Sequence, residues 1–408
     1  MHTNHRNGDG KMEDRNNSER TRSHTPAPKK ETSRYVYQNA RSASWKQTDS
    51  MHEESGEIKK KRGGCLPRLI PLFFLILLLL GGMWFFLRAS LKKVERYALN
   101  EEKVIINDDV RASDKNMRKY QNIALFGVDS QDNVIRDKGS RTDCIIVASI
   151  NKRSKKVKLM SIYRDTYVSI NGQYDKINAA YSYGGPELAI STINRNLDLN
   201  ITDFATVNFK ALADTVDILG GIPLTVQSEK ERKNLNDYIR NMNHINGGDS
   251  PTFKSPDEYP FTAVFDGNQA VAYSRIRYME GGDHARASHQ RLVVEGLVSA
   301  AKKKPWKLNK LINAVLPQCV TSLSTSEMTR MCMALPFYGI EDSKAYPFDS
   351  EDERYGGISY GFPLTAYKNV KKAHKYLFGT KDYEPTEEMS KISKKIEAVT
   401  DDIGLYAD

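Results

Sequence analysis

Cysteine is scarce in this 408-residue sequence, which has only four copies. The cysteines stand far apart and form no CxxC pair, so the sequence predicts neither a zinc site nor a disulfide framework. A bridge between the last two remains open beside the alternative of two buried thiols. The four residues are Cys65, Cys144, Cys319 and Cys332.

Acidic residues are also in deficit. The chain has 51 Asp and Glu against 61 Lys and Arg, which gives a formal net charge of +10. Such an excess of positive charge indicates anionic partners. Nucleic acid, an acidic membrane surface and phosphorylated substrates all satisfy this condition, and charge does not choose among them.

Apolar residues are rare in residues 1–68, which predicts a disordered basic tail. The uncharged run at residues 69–87 would span ~28 Å as a helix and predicts one membrane crossing. A long polar stretch precedes this run and no small-residue cleavage site is evident, so we predict a signal-anchor rather than a cleaved signal peptide. Basic residues flank both ends, but the basic tail favours a cytoplasmic N-terminus and an extracellular C-terminal part of a single-pass protein of the cell membrane.

After this run, we predict a stalk at residues 88–119, a globular domain at 120–380 and a charged tail at 381–408. Short runs of β-branched and apolar residues alternate with segments of helical period in the domain. This alternation predicts an α/β (α+β) fold, with a layered central sheet flanked by helices. The polar residues 228–265 are predicted to form an insertion or a mobile loop.

Charged residues stand at the ends of predicted strands. Arg141 and Asp143 are two apart, so their side chains should point to one side of a strand. Such grouping suits a phosphate or a metal site, although structural ion pairs produce the same pattern. The charged residues of this kind are Asp129, Arg141, Asp143, Arg164, Arg275 and Arg277.

Several short blocks follow one another along the predicted domain: Asn122–Asp129, Ser140–Asp143, Ser161–Thr166, Lys176–Tyr181, Val207–Phe209, Gly220–Gly221, Tyr273–Arg277 and the series Asp283, Arg286, Gln290. Each block is weak alone. Together and in this order they resemble the LytR-CpsA-Psr domain, and they cover about Tyr120 to Lys302. The predicted tail, membrane helix and external domain are also similar to the family's usual layout.

The resemblance implies an enzyme that moves an anionic glycopolymer, of the teichoic acid or capsular polysaccharide type, from undecaprenyl-pyrophosphate to peptidoglycan. The product would be a phosphodiester with a muramic acid hydroxyl. Because a guanidinium binds phosphate oxygens in pairs, the clamp on the pyrophosphate would consist of Arg141, Arg164, Arg275 and Arg277. We expect Asp129 and Asp143 to hold Mg²⁺. Residues expected to contact the substrate are Lys176, Asn178, Asp283, Arg286 and Gln290.

Four positions depart from the family's pattern. Gln131 and His289 each replace a frequent arginine, Ala179 replaces a frequent histidine, and Ala285 replaces a frequent glycine. These differences spare the Asp and Arg residues that are most closely tied to the chemistry.

The alternative from another class is a non-catalytic regulator of cell-envelope assembly that binds polyprenyl phosphates. The tail has no helix-turn-helix pattern, so no nucleic-acid partner is expected.

Overall fold

A computed structural model describes residue 78 and residues 81–92, 94, 96–110, 114–128, 140–277 and 282–405. Most of the predicted membrane run and Asp129 lie outside these ranges. Residues 81–91 are helical. No helix in the described ranges is long and apolar enough to cross a membrane.

The strands are β1 (Tyr120–Val128), β2 (Thr142–Asn151), β3 (Lys156–Ile162), β4 (Tyr167–Ile170), β5 (Gln173–Lys176), β6 (Asp203–Asn208), β7 (Ile222–Val226), β8 (Phe261–Phe265), β9 (Val320–Thr321), β10 (Gly339–Tyr346), β11 (Ser350–Tyr355) and β12 (Ile358–Pro363). The central sheet has the order β10-β3-β2-β1-β6-β9. β1 pairs antiparallel with β2 and parallel with β6, so the sheet is mixed. Three two-stranded antiparallel sheets, β4–β5, β7–β8 and β11–β12, accompany it.

The helices are α1 (Ala179–Leu197), α2 (Phe209–Leu219), α3 (Glu229–Asn246), α4 (Gly267–Arg275), α5 (Gly282–Lys303), α6 (Leu308–Ala314), α7 (Thr325–Ala334), α8 (Ala366–Phe378) and α9 (Glu387–Asp402). Short 3₁₀ turns occur at Glu101–Lys103, Met117–Lys119, Pro305–Lys307, Leu316–Gln318 and Leu335–Phe337. This arrangement confirms the predicted mixed α/β fold with a central sheet flanked by helices.

The sheet is covered by apolar side chains on both faces, because neighbouring side chains along a strand point in opposite directions. Ala124 and Phe126 pack in one core with residues of α1 and α8. Ile123 packs in another core with the helical segment 81–91 and with α6 and α7. A further core lies among α2 to α5 and the strands β7 and β8.

The expectation of a mobile loop at residues 228–265 is wrong for residues 229–246 and 261–265, which form α3 and β8, whereas residues 247–260 contain no helix or strand. Residues 229–246 form α3, whose first turn is capped by the Ser228 hydroxyl, which accepts a hydrogen bond from the Glu231 amide. Leu235, Ile239 and Met242 are buried at helical spacing. The many charged residues between them concealed this apolar stripe in the sequence.

The predicted stalk and C-terminal tail both contribute to the packed domain. Leu91 and Met117 of the former and Met389 and Ile396 of the latter are buried. Helix α9 packs against α8, α1 and β4. The structure therefore extends the compact region beyond the residues 120–380 that the sequence suggests.

Candidate functional site

A β-bulge forms the base of the site. Val128 pairs with Thr142 and Gly127 with Cys144, so Asp143 is the extra residue between them. A Cβ at position 127 would lie 2.8 Å from the Cβ of Cys144, so glycine is required for this close approach. Bulges re-aim side chains, and this one places Asp143 at the edge where β1 ends and β2 begins.

Basic and acidic side chains meet at this edge in what we term the charged cluster: Asp143, Arg164, Asp165, Lys176, Arg277, Asp283 and Arg286. Arg164 Nη1 lies 2.6 Å from Asp143 Oδ1, and its Nε lies 3.4 Å from Asp283 Oδ1. Lys176 Nζ lies 3.0 Å from Asp165 Oδ1. The pairs come from β2, the β3–β4 connection, β5 and α5, so the fold itself assembles the cluster.

Burial and neighbouring carboxylates act in opposite directions on the arginines. Burial alone would lower the pKa of Arg164, but Asp165, Asp143 and Asp283 together raise it. At Arg286, by contrast, burial dominates and lowers the pKa despite the pairing with Asp283. Arg286 is thus a strongly desolvated cation.

Arg286 also has donors without acceptors. Its Nη2 pairs with Asp283, whereas its buried Nε and Nη1 have no hydrogen-bond partner within the described residues. Buried polar atoms are normally paired, so unpaired donors of a cation indicate a place for an anionic ligand.

An apolar cavity of about 630 Å³ begins at the charged cluster. Asp143, Arg277, Arg286 and Gln290 line its charged end. Its walls come mainly from apolar side chains of α2, α5 and α6 and from the segment after α6. These include Leu212, Val293, Val294, Leu297, Leu308, Leu311, Ile312, Val315 and Leu316. We call this space the apolar cavity; it suits a ligand with a charged head and a hydrocarbon tail.

The predicted site residues fall into different environments. Arg277 Nη2 lies 3.6 Å from Asp143 Oδ2, and Gln290 Nε2 donates to the Asp143 carbonyl at 3.1 Å. Arg275 is the last residue of α4 rather than part of a strand. Its guanidinium lies 4.6 Å from the Phe209 ring centroid, inside the cavity wall.

Two other predicted residues differ in exposure. Arg141 is exposed just before β2, so it does not join the ion pairs of the cluster. Asn178 is buried, and its Oδ1 has no hydrogen-bond partner in the described chain.

The described residues include one carboxylate of the predicted magnesium pair, since Asp129 lies outside them. Among these residues no three His, Cys, Asp or Glu side chains form a metal-binding group. Asp143 Oδ1 accepts from Arg164, whereas Oδ2 has its nearest cation at 3.6 Å. A single carboxylate oxygen fits Mg²⁺ when phosphate oxygens and a second carboxylate complete the shell.

Sequence reasoning missed the apolar cavity and one acidic neighbour. The sequence pattern indicates an apolar helix face at Val293, Val294 and Leu297, but that pattern predicts a packed core equally well. Asp352 on β11 lies opposite Gly361, with Oδ1 3.1 Å from where a Cβ would stand. Burial, Asp283 and Asp165 raise the pKa of Asp352. No pattern in the sequence pointed to this residue.

One departure from the family pattern has a structural partner. His289 is buried, and its Nε2 lies 2.9 Å from Oε1 of the buried Glu231 on α3. This pair joins α5 to α3 below the cavity wall rather than extending the charged cluster.

Two named relatives resemble this chain over part of its length. The polyisoprenyl-teichoic acid–peptidoglycan teichoic acid transferase TagU of Enterococcus faecalis is 34% identical over 230 residues, which cover 53% of this chain and 66% of that protein. Biofilm regulatory protein A of Streptococcus mutans is 29% identical over 63% of each chain. The chain thus spans slightly less than two thirds of these relatives.

A solved structure has the same fold as this chain. The solved structure of TagT bound to LI-WTA superposes with a TM-score of 0.52 at 23% identity, covering 70% of this chain and all of that one. The model of the LytR_cpsA_psr family matches residues 83–376. This match covers most of the chain, including the charged cluster and the apolar cavity, and the chain therefore belongs to the LytR-CpsA-Psr family.

Proposed function

We propose that this chain is a membrane-anchored phosphotransferase that moves an anionic glycopolymer from undecaprenyl-pyrophosphate to peptidoglycan. The observation that carries the proposal is the buried guanidinium of Arg286 beside an apolar cavity, with Nε and Nη1 that have no acceptor among the described residues. The TagU relative, named for such a transfer, supports the reaction class.

The charged cluster and the apolar cavity bind different parts of the donor. The pyrophosphate lies against the charged cluster, where Arg164, Arg277 and Arg286 supply forked donors for phosphate oxygens. The polyprenyl tail enters the apolar cavity and is withdrawn from water. Neither half alone would distinguish this donor from an inorganic phosphate or a neutral lipid.

The reaction breaks the phosphoanhydride bond of the donor and forms a phosphate ester bond to the acceptor. The acceptor hydroxyl oxygen attacks the phosphorus atom that bears the glycopolymer, and the bond from that phosphorus to the bridging oxygen breaks. Polyprenyl phosphate leaves with the bonding electrons, while a carboxylate at the site accepts the hydroxyl proton. The arginines stabilise the charge that develops on the leaving phosphate.

Asp129 and Asp143 are the proposed magnesium ligands. When bound, the ion would neutralise phosphate charge and relieve repulsion between the two carboxylates. Transfer should then fall in chelator and return when Mg²⁺ is added back. Full transfer in chelator would assign the carboxylates a structural role.

We also propose residues 69–87 as the single membrane anchor, with the tail at 1–68 cytoplasmic and the catalytic domain outside the cell. A reporter fused to the C-terminus should be active only outside the cytoplasm. Cytoplasmic activity would contradict this placement.

The decisive experiment supplies the purified full chain with a lipid-linked glycopolymer and peptidoglycan fragments. We expect covalent transfer by the unmodified chain and its loss in Arg286→Gln. Arg240→Gln is the matched control, because Arg240 lies exposed on α3 and pairs with Asp237. Absence of transfer by a chain that retains the donor would reject the enzyme.

That last outcome would favour a regulator that holds the lipid without turnover. The relative named Biofilm regulatory protein A is the observation behind this second candidate. Both candidates share the lipid site and differ in the fate of the glycopolymer.

A further inference from the structure

Two aromatic side chains far along the sequence from the charged cluster project into solvent. Trp306 is 72% exposed and Phe337 is 74% exposed, more than the other large apolar residues of the described chain. Single exposed apolar side chains are common on folded domains, so the significance of these two depends on their surroundings. Trp in particular is typical of membrane interfaces, where its ring is partly apolar and its N–H remains hydrated.

Both aromatic residues adjoin elements that line the apolar cavity, and the length of α5 separates Trp306 from Asp283 and Arg286 in the first turns of that helix. Trp306 precedes α6, whose Leu308, Leu311 and Ile312 line the cavity. Phe337 follows α7, whose Cys332 lines it as well. Lys302 Nζ donates to the carbonyl of Tyr338, which holds the end of α5 beside the segment that contains Phe337.

The helical segment 81–91 reaches the domain at the same place. Leu87 and Leu91 pack in one apolar cluster with Ile312 of α6 and Met328 of α7. Arg88 Nη1 donates to the Ser326 hydroxyl at 3.0 Å. This segment continues the uncharged run that begins at residue 69, so the chain enters the domain beside α6 and α7.

One segment of this face carries charge of a single sign. Residues 302–326 contain several lysines and no acidic residue. Lys303 and Lys310 are exposed, and Arg330 on α7 is also exposed, although it lies 3.9 Å from Glu327. Lysine and arginine next to apolar anchors favour a surface of anionic lipid headgroups.

We propose that Trp306, Phe337, Lys303, Lys310 and Arg330 form a docking face that rests on an anionic lipid bilayer. Docking would open the far end of the apolar cavity to the hydrocarbon region of the membrane. A volume of about 630 Å³ lies within the range of drug-sized ligand pockets, about 300–1,000 Å³. A polyprenyl tail is larger than such a ligand, and docking would allow the rest of it to stay in lipid.

This inference rests on the membrane anchorage proposed above and is independent of the transfer reaction. It deepens that proposal by stating which face of the domain meets the membrane. The charged cluster would receive the pyrophosphate without moving the whole lipid through water.

The three tryptophans of the chain, Trp45, Trp84 and Trp306, provide the test. The full chain is reconstituted in phosphatidylglycerol nanodiscs whose acyl chains are brominated near the headgroups. Bromine quenches the fluorescence of a tryptophan close to it. One variant, Trp45→Phe with Trp84→Phe, reports on Trp306, and a second, Trp45→Phe with Trp306→Phe, reports on Trp84 and hence on the anchor.

A third variant replaces all three tryptophans by Phe and carries Tyr355→Trp on the β11–β12 hairpin, beside the charged cluster. We expect quenching of Trp306 comparable with that of Trp84, and none at position 355. Adding Lys303→Glu with Lys310→Glu should reduce the quenching of Trp306 and leave that of Trp84 unchanged.

The remaining outcomes separate the two proposals. Quenching of Trp84 without quenching of Trp306 would overturn the docking face and leave the anchor standing. Absence of quenching at both positions would overturn the docking face and the anchor together. Quenching at position 355 as well would overturn the docking face, because contact with lipid would not be specific to it.

Discussion

Two polar networks in this protein contain similar residues but have different roles. The charged cluster lies at the edge of the central sheet and opens to the apolar cavity. The other network, which we term the C-terminal clasp, consists of Asn107, Asp114, Asp198, His374, Tyr383 and Thr386. It joins the segment before β1 to α1, α8 and the start of α9, and its residues are buried.

Each carboxylate of the clasp is saturated with donors. Asp198 accepts from Asn107 Nδ2 at 2.6 Å, from the Tyr383 hydroxyl at 3.0 Å and from the Thr386 amide at 2.7 Å. His374 Nδ1 lies 2.8 Å from Asp114 Oδ2, and its ring stacks on Tyr383 with 3.5 Å between the centroids. Nothing in this network calls for a ligand.

The charged cluster differs because buried donors of Arg286 lack acceptors. Leaving such groups unpaired costs free energy, so a ligand that supplies acceptors at this position would be stabilised. Completeness of pairing, rather than the number of charges, separates these two networks.

The largest effect on stability should come from the clasp. Asp114→Ala leaves a buried histidine without its carboxylate, and we expect the free energy of unfolding to fall by about 3–5 kcal/mol. Urea denaturation measures it. Glu384→Ala is the control: it breaks the exposed pair with Lys371 and should cost at most about 1 kcal/mol. Equal losses of unfolding free energy in the two variants would contradict the structural role of the clasp.

Arg286→Gln should show the opposite profile. We expect glycopolymer transfer to fall by about 10²–10³-fold, as for loss of one preorganised charge-stabilising donor. Stability should fall much less than in Asp114→Ala, because the variant also removes a desolvated charge. Initial transfer rates and urea midpoints, measured on the same preparations, give both numbers. A large loss of stability with normal transfer would make the cluster structural.

These two networks also show which features of the structure can be predicted from the sequence. The strands β1 to β3 and the helix α2 follow from apolar period, and the Arg and Asp residues at their ends are visible as candidates. The bulge at Asp143 is not, because it depends on pairing between β1 and β2. Asp114 and His374 are 260 residues apart, so only tertiary structure brings them together. The cavity stayed hidden because a helix face that lines a cavity has the same pattern as one that fills a core.

Acid should destabilise the C-terminal clasp. Asp114 is buried, which alone would raise its pKa, but His374 and Thr380 together lower it below the usual 3.8. A carboxylate with a depressed pKa in the fold contributes stability that is complete above its unfolded pKa and disappears as pH falls through the folded value. The unfolding free energy should therefore decline below about pH 4.

Denaturation at several pH values tests this expectation. Asp114→Asn, which carries no titrating carboxyl at this position, should show a shallower decline than the unmodified chain. An identical decline in both proteins would assign the acid sensitivity to other groups.

The smallest effect concerns the thiols of the apolar cavity. Burial raises the pKa of Cys332 to about 11 and those of Cys144 and Cys319 to about 12, so all three are almost entirely protonated at neutral pH. In a Cys65→Ser variant, we expect slow alkylation that slows further when polyprenyl lipid is added. An alkylation rate that does not change when the lipid is added would place the polyprenyl tail elsewhere.

The central claim is that the charged cluster and the apolar cavity together hold a polyprenyl-pyrophosphate. Mass spectrometry of the lipids that copurify with the full chain tests it most directly. We predict a polyprenyl-pyrophosphate species in the unmodified protein and in Arg240→Gln, and its depletion in Arg286→Gln. A chain that carries no such lipid, or equal amounts in all three proteins, would contradict the claim.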